Sequence, residues 1–265
     1  MGSSFVFDEP HYDALNTARE ATLRQLLESL RNDLELHTAV DVGCGLGHFA
    51  ALLCEMGFRV VGVDARAENA AEAKRRHPTI EFRVENAEAP EICTLGSFDF
   101  ALCLGLLYHL ENPLLALRNV CALTKKVVFL ETMVAPMEPP VLVLCDERQL
   151  EDQGLGYVGF YPSEACVVKM LYRAGFRAVY RLSRMPNHQD FRASLRKHRA
   201  RILVVASHVP LEAPFLVLVR EPIRPADLWA THIATFEQTL ARGWNFLWKP
   251  WSGKLATLRR ILRGG

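Results

Sequence analysis

The stretch that decides the fold is AVDVGCGLGHF, residues 39–49. A short apolar run ends on Asp41 and Val42, three glycines follow at 43, 45 and 47, and a helical pattern begins at once. Strand, glycine turn and helix in that order open a βαβ unit, and a turn without side chains lets the backbone N–H groups approach a nucleotide-like ligand. The same turn also occurs without a ligand, so its surroundings decide. A dinucleotide fingerprint asks for GxGxxG; here the third glycine comes one residue early and His48 stands where that fingerprint needs Gly, which excludes a nicotinamide-dependent oxidoreductase.

Outward from the turn, residues 12–36 carry Leu15, Ala18, Leu23, Leu26, Leu27 and Leu30 at helical spacing, an amphipathic leading helix. Downstream the periodicity alternates: strand 39–42, helix 47–56, strand 59–63, helix 68–76, strand 80–84, strand 98–103, helix 113–123, strand 126–131. After Pro162 a helix runs to Gly175, and 177–182 and 202–206 supply two last strands. The expectation is an α/β protein with a Rossmann-like, doubly wound, mostly parallel seven-stranded sheet and helices on both faces. The apolar run 215–219 could extend the sheet or begin the tail. Residues 132–160 hold too many Pro and Gly for a regular element and read either as a lid or as a surface crossover. The organisation is a helical segment 1–37, a catalytic domain 38–220 with that insertion, and an appendage 221–265.

Composition sets bounds. The chain has 265 residues and a formal charge of +1, so no global field attracts nucleic acid. Its seven cysteines contain no CxxC pair and lie mostly in apolar runs, the pattern of a reduced, metal-free, cytoplasmic protein. Neither a signal peptide nor a membrane-spanning run is present in the sequence, and Val6 stands where a myristoylation motif needs Ser or Thr.

The candidate contacts follow from the strand ends. A site for S-adenosylmethionine seats no pyrophosphate and uses an acidic residue before the glycines for the ammonium end, a role that Asp41 fits. Asp64 closes the second strand, where a carboxylate can accept both ribose hydroxyls; by itself it could also cap the next helix. Asn86 and Ala87, after the third strand, are placed to meet an adenine. Tyr108 and His109 follow the fourth strand at the carboxyl edge of the sheet, beside the switch point where ligands bind.

DVGCGLG, VVGVD, NAEAP, FDFALCLGLLYHL and VVFLET together resemble the class I S-adenosylmethionine methyltransferases. Within that superfamily, GLLYHLENPLLAL, LETMV and FYPSEACVVKMLYRAGF are similar to the enzymes that complete the carboxymethoxy modification of the tRNA wobble uridine. The resemblance spans roughly residues 39–182 and implies cofactor contacts at Gly43, Asp64, Ala65, Ala87, Leu104 and Tyr108, with Arg201 as a further match; Gly45 and Gly47 belong to the same turn. Where that tRNA family has basic residues after Tyr-His, Leu110 and Glu111 follow here.

Methyl transfer is an in-line displacement that needs positioning and, for a hydroxyl nucleophile, a proton acceptor. His109 is the expected base, Tyr108 the orienting residue and Glu131 the reserve; the alternative is that His109 only ties the loop to the backbone. The expected function is O-methylation of a small molecule, with S-adenosylmethionine as donor and S-adenosylhomocysteine as product. A tRNA-modifying enzyme using carboxy-S-adenosylmethionine and a non-catalytic cofactor-binding subunit are the alternatives. The basic stretch 192–201 reads as a solvated helix face rather than a nucleic-acid stripe. In the tail, Trp244, Trp248 and Trp251, then Leu255, Leu258, Ile261 and Leu262 opposite Lys254, Arg259, Arg260 and Arg263, suit docking on the domain, on a second subunit of a homodimer, or on an anionic membrane.

Overall fold

The computed structural model describes residues 5–147, 153–193 and 200–222. The tail with its four tryptophans and most of the basic stretch 192–201 lie outside the described residues.

Pro10 opens α1 (Pro10–Leu30) at a position whose N–H would have no helical partner anyway. The helix stops six residues earlier than its periodicity suggests, where Asn32 and Asp33, poor helix formers, lead into a turn. The alternation then appears as expected: β1 (Thr38–Val42), α2 (His48–Glu55), β2 (Arg59–Asp64), α3 (Ala67–Arg76), β3 (Glu81–Val84), β4 (Phe98–Leu104), α4 (Pro113–Leu123) and β5 (Thr124–Met133). The chain continues with β6 (Leu142–Asp146), β7 (Val158–Pro162), α5 (Glu164–Ala174), β8 (Ala178–Leu182), β9 (Arg201–Ser207) and β10 (Leu216–Val219).

The main sheet runs β10-β8-β9-β5-β4-β1-β2-β3. Strands β3, β2, β1, β4 and β5 are parallel, while β9 lies antiparallel to both β5 and β8. Side chains alternate across it, as a pleated strand requires. Phe100, Leu102, Phe129, Leu203 and Val205 face a core shared with α1 and α2. Ala101, Cys103, Val128, Leu130 and Val204 face the other core, under α4 and α5. Helices therefore cover both faces, and α1 belongs to the same core as the sheet. From β1 the chain steps outward through β2 to β3 and then returns to β4 on the other side of β1. That reversal opens a crevice at the carboxyl ends of β1 and β4.

Two expectations are corrected. The sheet has eight strands, not seven: Leu216–Val219 pairs antiparallel with β8 from Leu216 opposite Leu182 to Val219 opposite Val179. Four apolar residues do not reveal whether a free ladder edge awaits them. Residues 132–160 do contain regular structure, because β6 and β7 form an antiparallel hairpin of their own. Pro136, Pro139 and Pro140 precede its first strand and Gly154 and Gly156 lie in its connection, so the breakers fall mostly outside the ladder. Its alternation is hidden because Leu142, Val143 and Leu144 are all exposed and no single face is buried.

All seven cysteines are free thiols. No helix among the described residues is long and apolar enough to cross a membrane.

Candidate active site

The glycine turn takes a shape that only glycine adopts readily: φ is 75° at Gly43, 52° at Gly45 and 84° at Gly47. It is pinned to the end of β2. The N–H groups of Gly43 and Cys44 donate to the Val63 carbonyl at 2.8 and 2.9 Å, and Gly45 N–H donates to Asp64 Oδ2 at 2.9 Å. A Cβ at Gly47 would meet the Phe82 ring at 2.7 Å.

Asp64 also accepts, through Oδ1, from Arg66 N–H at 2.9 Å and Asn69 Nδ2 at 3.2 Å. The carboxylate thus ties the turn to the start of α3, and Oδ2 keeps room for a further donor. Burial holds its pKa above the ordinary aspartate value, against the pull of these donors. Asp41 is more extreme. It is 2 % exposed, it accepts from the Ala50 N–H in the first turn of α2, and its Oδ2 has no partner. Burial, with Asp64 nearby adding to it, pushes its carboxyl up to about 7.

Over these strand ends lies a cavity of about 950 Å³, at the upper end of the roughly 300–1,000 Å³ typical of small-molecule sites. Gly43, Gly45, Asp64, Ala65, Asn86, Ala87, Leu104, Tyr108 and His109 all line it. Asp41, Gly47 and Glu131 are not part of its lining. Asn86 Oδ1 already accepts from Glu88 N–H at 2.9 Å, and the Ala87 carbonyl accepts from Asn119 Nδ2 at 2.8 Å, so this corner is preset by its own hydrogen bonds. Phe7 of the N-terminal segment packs on the face of the turn, within 3.1 Å of a Cβ placed at Gly45, and Asp8 pairs with Arg76 at 2.8 Å.

Tyr108 and His109 sit on a short 3-10 turn (Leu107–His109) just beyond β4. The Tyr108 hydroxyl accepts from Arg201 Nη2 at 3.2 Å, and Tyr161 meets the Tyr108 ring edge-on at 5.9 Å. Arg201 reaches Glu131 Oε1 at 3.0 Å, while Arg19 from α1 holds Glu131 Oε2. Burial works against the charge of Arg201, but Glu131 and Tyr108 outweigh it and its pKa stays above the ordinary guanidinium value. Glu131, expected as the reserve proton acceptor, is placed outside the cavity lining: its carboxylate has no exposed surface, is held by two guanidinium groups and joins α1, β5 and β9.

The hairpin completes the far wall. His109 Nδ1 is hydrogen-bonded to Glu147 Oε1, and Glu147 Oε2 accepts from Gly154 N–H at 2.7 Å. From the opposite side, Arg66 Nε and Nη2 donate to the carbonyls of Gln153 and Gly154, both at 3.0 Å. The connection after residue 152 is thus gripped between Asp64's neighbour and His109's partner, and Gln153 to Gly156 line the cavity. Close approach needs glycine: a Cβ at Gly159 would fall 2.2 Å from the Tyr108 carbonyl oxygen.

Sequence reasoning missed Glu147, Arg66, Arg19 and the 153–154 backbone. One signal was available. GLGYVG, residues 154–159, has GxGxxG spacing, yet it precedes a strand rather than a helix and marks a backbone packed against another backbone. Among the described residues, no group of three or more His, Cys, Asp or Glu could hold a metal ion.

Residues 40–130 match a family described as "Methyltransferase domain". The tRNA U34 carboxymethyltransferase of Desulfotalea psychrophila is 27% identical over 161 residues, 57% of this chain and 49% of that protein. The ubiquinone biosynthesis O-methyltransferase of Actinobacillus pleuropneumoniae is 28% identical over 131 residues, 44% of this chain and 55% of that protein. The chain spans about half the length of the curated relatives it matches. A crystal structure of the N-terminal domain of EvdMO1 in the presence of SAH and D-fucose superposes with a TM-score of 0.58, covering 75% of this chain and 84% of that one at 23% identity. The likeness to solved structures thus gives a Rossmann-like fold, residues 40–130 match the methyltransferase-domain family, and the chain is similar in sequence to the tRNA carboxymethyltransferases over 57% of its length.

Proposed function

We propose that this protein is an S-adenosylmethionine-dependent methyltransferase that methylates a hydroxyl oxygen of a small molecule. One observation carries the reading: a single cavity has the glycine turn and Asp64 at one end and His109, anchored through Nδ1, on the opposite wall.

The residues present suit the cofactor. Gly43 and Gly45 bring bare backbone to the cavity lining, Asp64 Oδ2 can take a ribose hydroxyl, and Asn86 and Ala87 flank the place for an adenine. The unpartnered Oδ2 of Asp41 lies just before the turn and outside the cavity lining, so an ammonium group in the cavity would favour its ionised form through its charge rather than by direct contact. Bound there, S-adenosylmethionine supplies an activated methyl on a sulfonium, ready for in-line displacement. Tyr108, fixed by Arg201 and Tyr161, shapes the floor on which the acceptor rests. His109 takes the hydroxyl proton.

The cavity favours the ordinary cofactor over its carboxylated form. Arg19, Arg66 and Arg76 are the only Lys or Arg side chains in its described lining, and each is already engaged, by Glu131, by two backbone carbonyls and by Asp8 respectively. The test is to identify by mass any nucleoside that co-purifies with the full chain, then assay methyl transfer to a panel of phenols, alcohols, amines and tRNA. Ether formation supports the proposal. Carboxymethyl transfer to tRNA would replace it with the wobble-uridine reading, and tight S-adenosylhomocysteine binding without turnover on any acceptor would favour a non-catalytic subunit.

A further inference from the structure

We infer that Glu147 is a positioning residue that fixes His109 in the tautomer able to accept a proton, and that the acceptor is consequently a hydroxyl that is neutral at physiological pH. The inference rests on the methyltransferase reading above and specifies what the far wall of its site selects.

A neutral imidazole carries one N–H and one lone pair, and which nitrogen holds the proton is decided by the partner of the other. An ionised carboxylate offers only acceptors. With Nδ1 against Glu147 Oε1, the proton resides on Nδ1 and the lone pair on Nε2. The carboxylate is itself fixed: its side chain is 6% exposed, and its second oxygen accepts the Gly154 N–H at 2.7 Å. Its backbone N–H closes the hairpin on the Tyr157 carbonyl at 2.8 Å. Tyr108 also packs against the imidazole, with ring centroids 4.1 Å apart, and its hydroxyl is turned to Arg201.

The chemistry balances with these groups alone. The new O–CH3 bond forms as the S–CH3 bond breaks and its electron pair returns to sulfur, which becomes a neutral thioether. The hydroxyl proton passes to His109 Nε2, and the resulting imidazolium rests beside the Glu147 carboxylate. The positive charge lost at sulfur reappears on the histidine, where an anion is waiting. A thiolate acceptor would attack through the anionic lone pair it already has and would not need this arrangement.

Glu147 could instead serve only to hold the hairpin through Gly154, and the test separates the two. In the full chain, Glu147→Gln should lower kcat by about 100-fold or more for alcohols and weakly acidic phenols. Nitrophenols already ionised at the assay pH should be methylated nearly as fast as by the wild type, and S-adenosylhomocysteine affinity should change less than about twofold. Glu147→Asp should recover part of the loss. Equal loss for ionised and neutral acceptors would overturn the inference, as would an unchanged kcat for neutral ones. A second readout does not require turnover. Imidazole ¹⁵N shifts of the ligand-free protein should show His109 protonated on Nδ1 in the wild type and a tautomer mixture in Glu147→Gln. The same mixture in both proteins would refute the tautomer assignment whatever the reaction proves to be. Failure of methyl transfer to every acceptor, with the ¹⁵N result as expected, would instead refute the parent reading.

Discussion

The two walls of the cavity are built differently. The wall proposed for the cofactor is made from backbone and strand ends that follow one another within residues 41–87: a glycine turn, the Asp64 carboxylate that clamps it, and the Asn86–Ala87 corner. The wall proposed for the acceptor is made from side chains that meet across long sequence separations: His109 with Glu147, Tyr108 with Arg201, Arg66 with the 153–154 carbonyls. The first wall presents features that any adenosine-bearing ligand can use. The second is assembled from a hairpin and two strand ends, and Arg66, whose N–H holds Asp64 and whose side chain holds the hairpin, joins it to the first.

Breaking the seam between the walls should have the largest effect. Glu131→Ala leaves Arg19 and Arg201 buried without their shared carboxylate, and loss of one partner from a buried pair costs about 3–5 kcal/mol. Chemical denaturation should show a loss of that size, together with weaker binding at both walls. A variant of wild-type stability that has lost turnover alone would reinstate Glu131 as a proton acceptor.

Asp41 sharpens the cofactor wall through pH. Its folded pKa of about 7 is raised above the unfolded aspartate value, so the native state favours the protonated acid. That contribution is fully present below about pH 4 and is lost as pH rises through 7, by linkage on the order of 4 kcal/mol at most. The ligand-free wild type should therefore lose melting temperature between pH 5 and 8 more steeply than Asp41→Asn, which cannot ionise. If an ammonium group binds nearby, S-adenosylhomocysteine binding near pH 6.5 should release a proton, seen as a buffer-dependent binding enthalpy in calorimetry. Identical pH slopes for the two proteins would show that Asp41 does not titrate in this range.

Asp64→Ala tests the same wall more directly. Removing an acceptor of the turn N–H and of a ribose hydroxyl should weaken S-adenosylhomocysteine by about 2–4 kcal/mol in calorimetry. Unchanged affinity would break the assignment of this wall to the cofactor. The smallest expected effect is at the other wall. Gly159→Val places a Cβ against the Tyr108 carbonyl, which forces β7 away from the His109 turn. Turnover should fall by about 10-fold or more, roughly 1.4 kcal/mol, while S-adenosylhomocysteine affinity changes less than threefold. Equal losses in both would mean that the walls are not separable.

The same division describes how much was legible beforehand. The parallel half of the sheet announced itself because β1, β2 and β4 are largely buried apolar runs each followed by a helix, so their signals are local. Asp64, Asn86, Tyr108 and His109 could be grouped from the sequence because strand ends in such a sheet must converge on one edge, and all four line the cavity. Glu147 was hidden because its partner lies 38 residues away and the hairpin that brings it back has neither face buried, which leaves no period of two to read. The position of Glu131 near the end of β5 is readable, but its ion pairs are not, because Arg19 and Arg201 reach it from 112 and 70 residues away.

The sequence by itself therefore determined the doubly wound parallel core, the glycine turn with its unusual backbone angles and the place of the cavity, because these depend on apolar periodicity, on glycine's freedom at positive φ and on the order of the strands. Only the tertiary structure decided which charged side chains are spent on one another and which still face the cavity. Pairing of Glu131 with two arginines, of His109 with Glu147 and of Arg66 with the hairpin carbonyls is governed by burial and by angstrom-scale distance, since a charge taken out of water must find a partner wherever the fold delivers one.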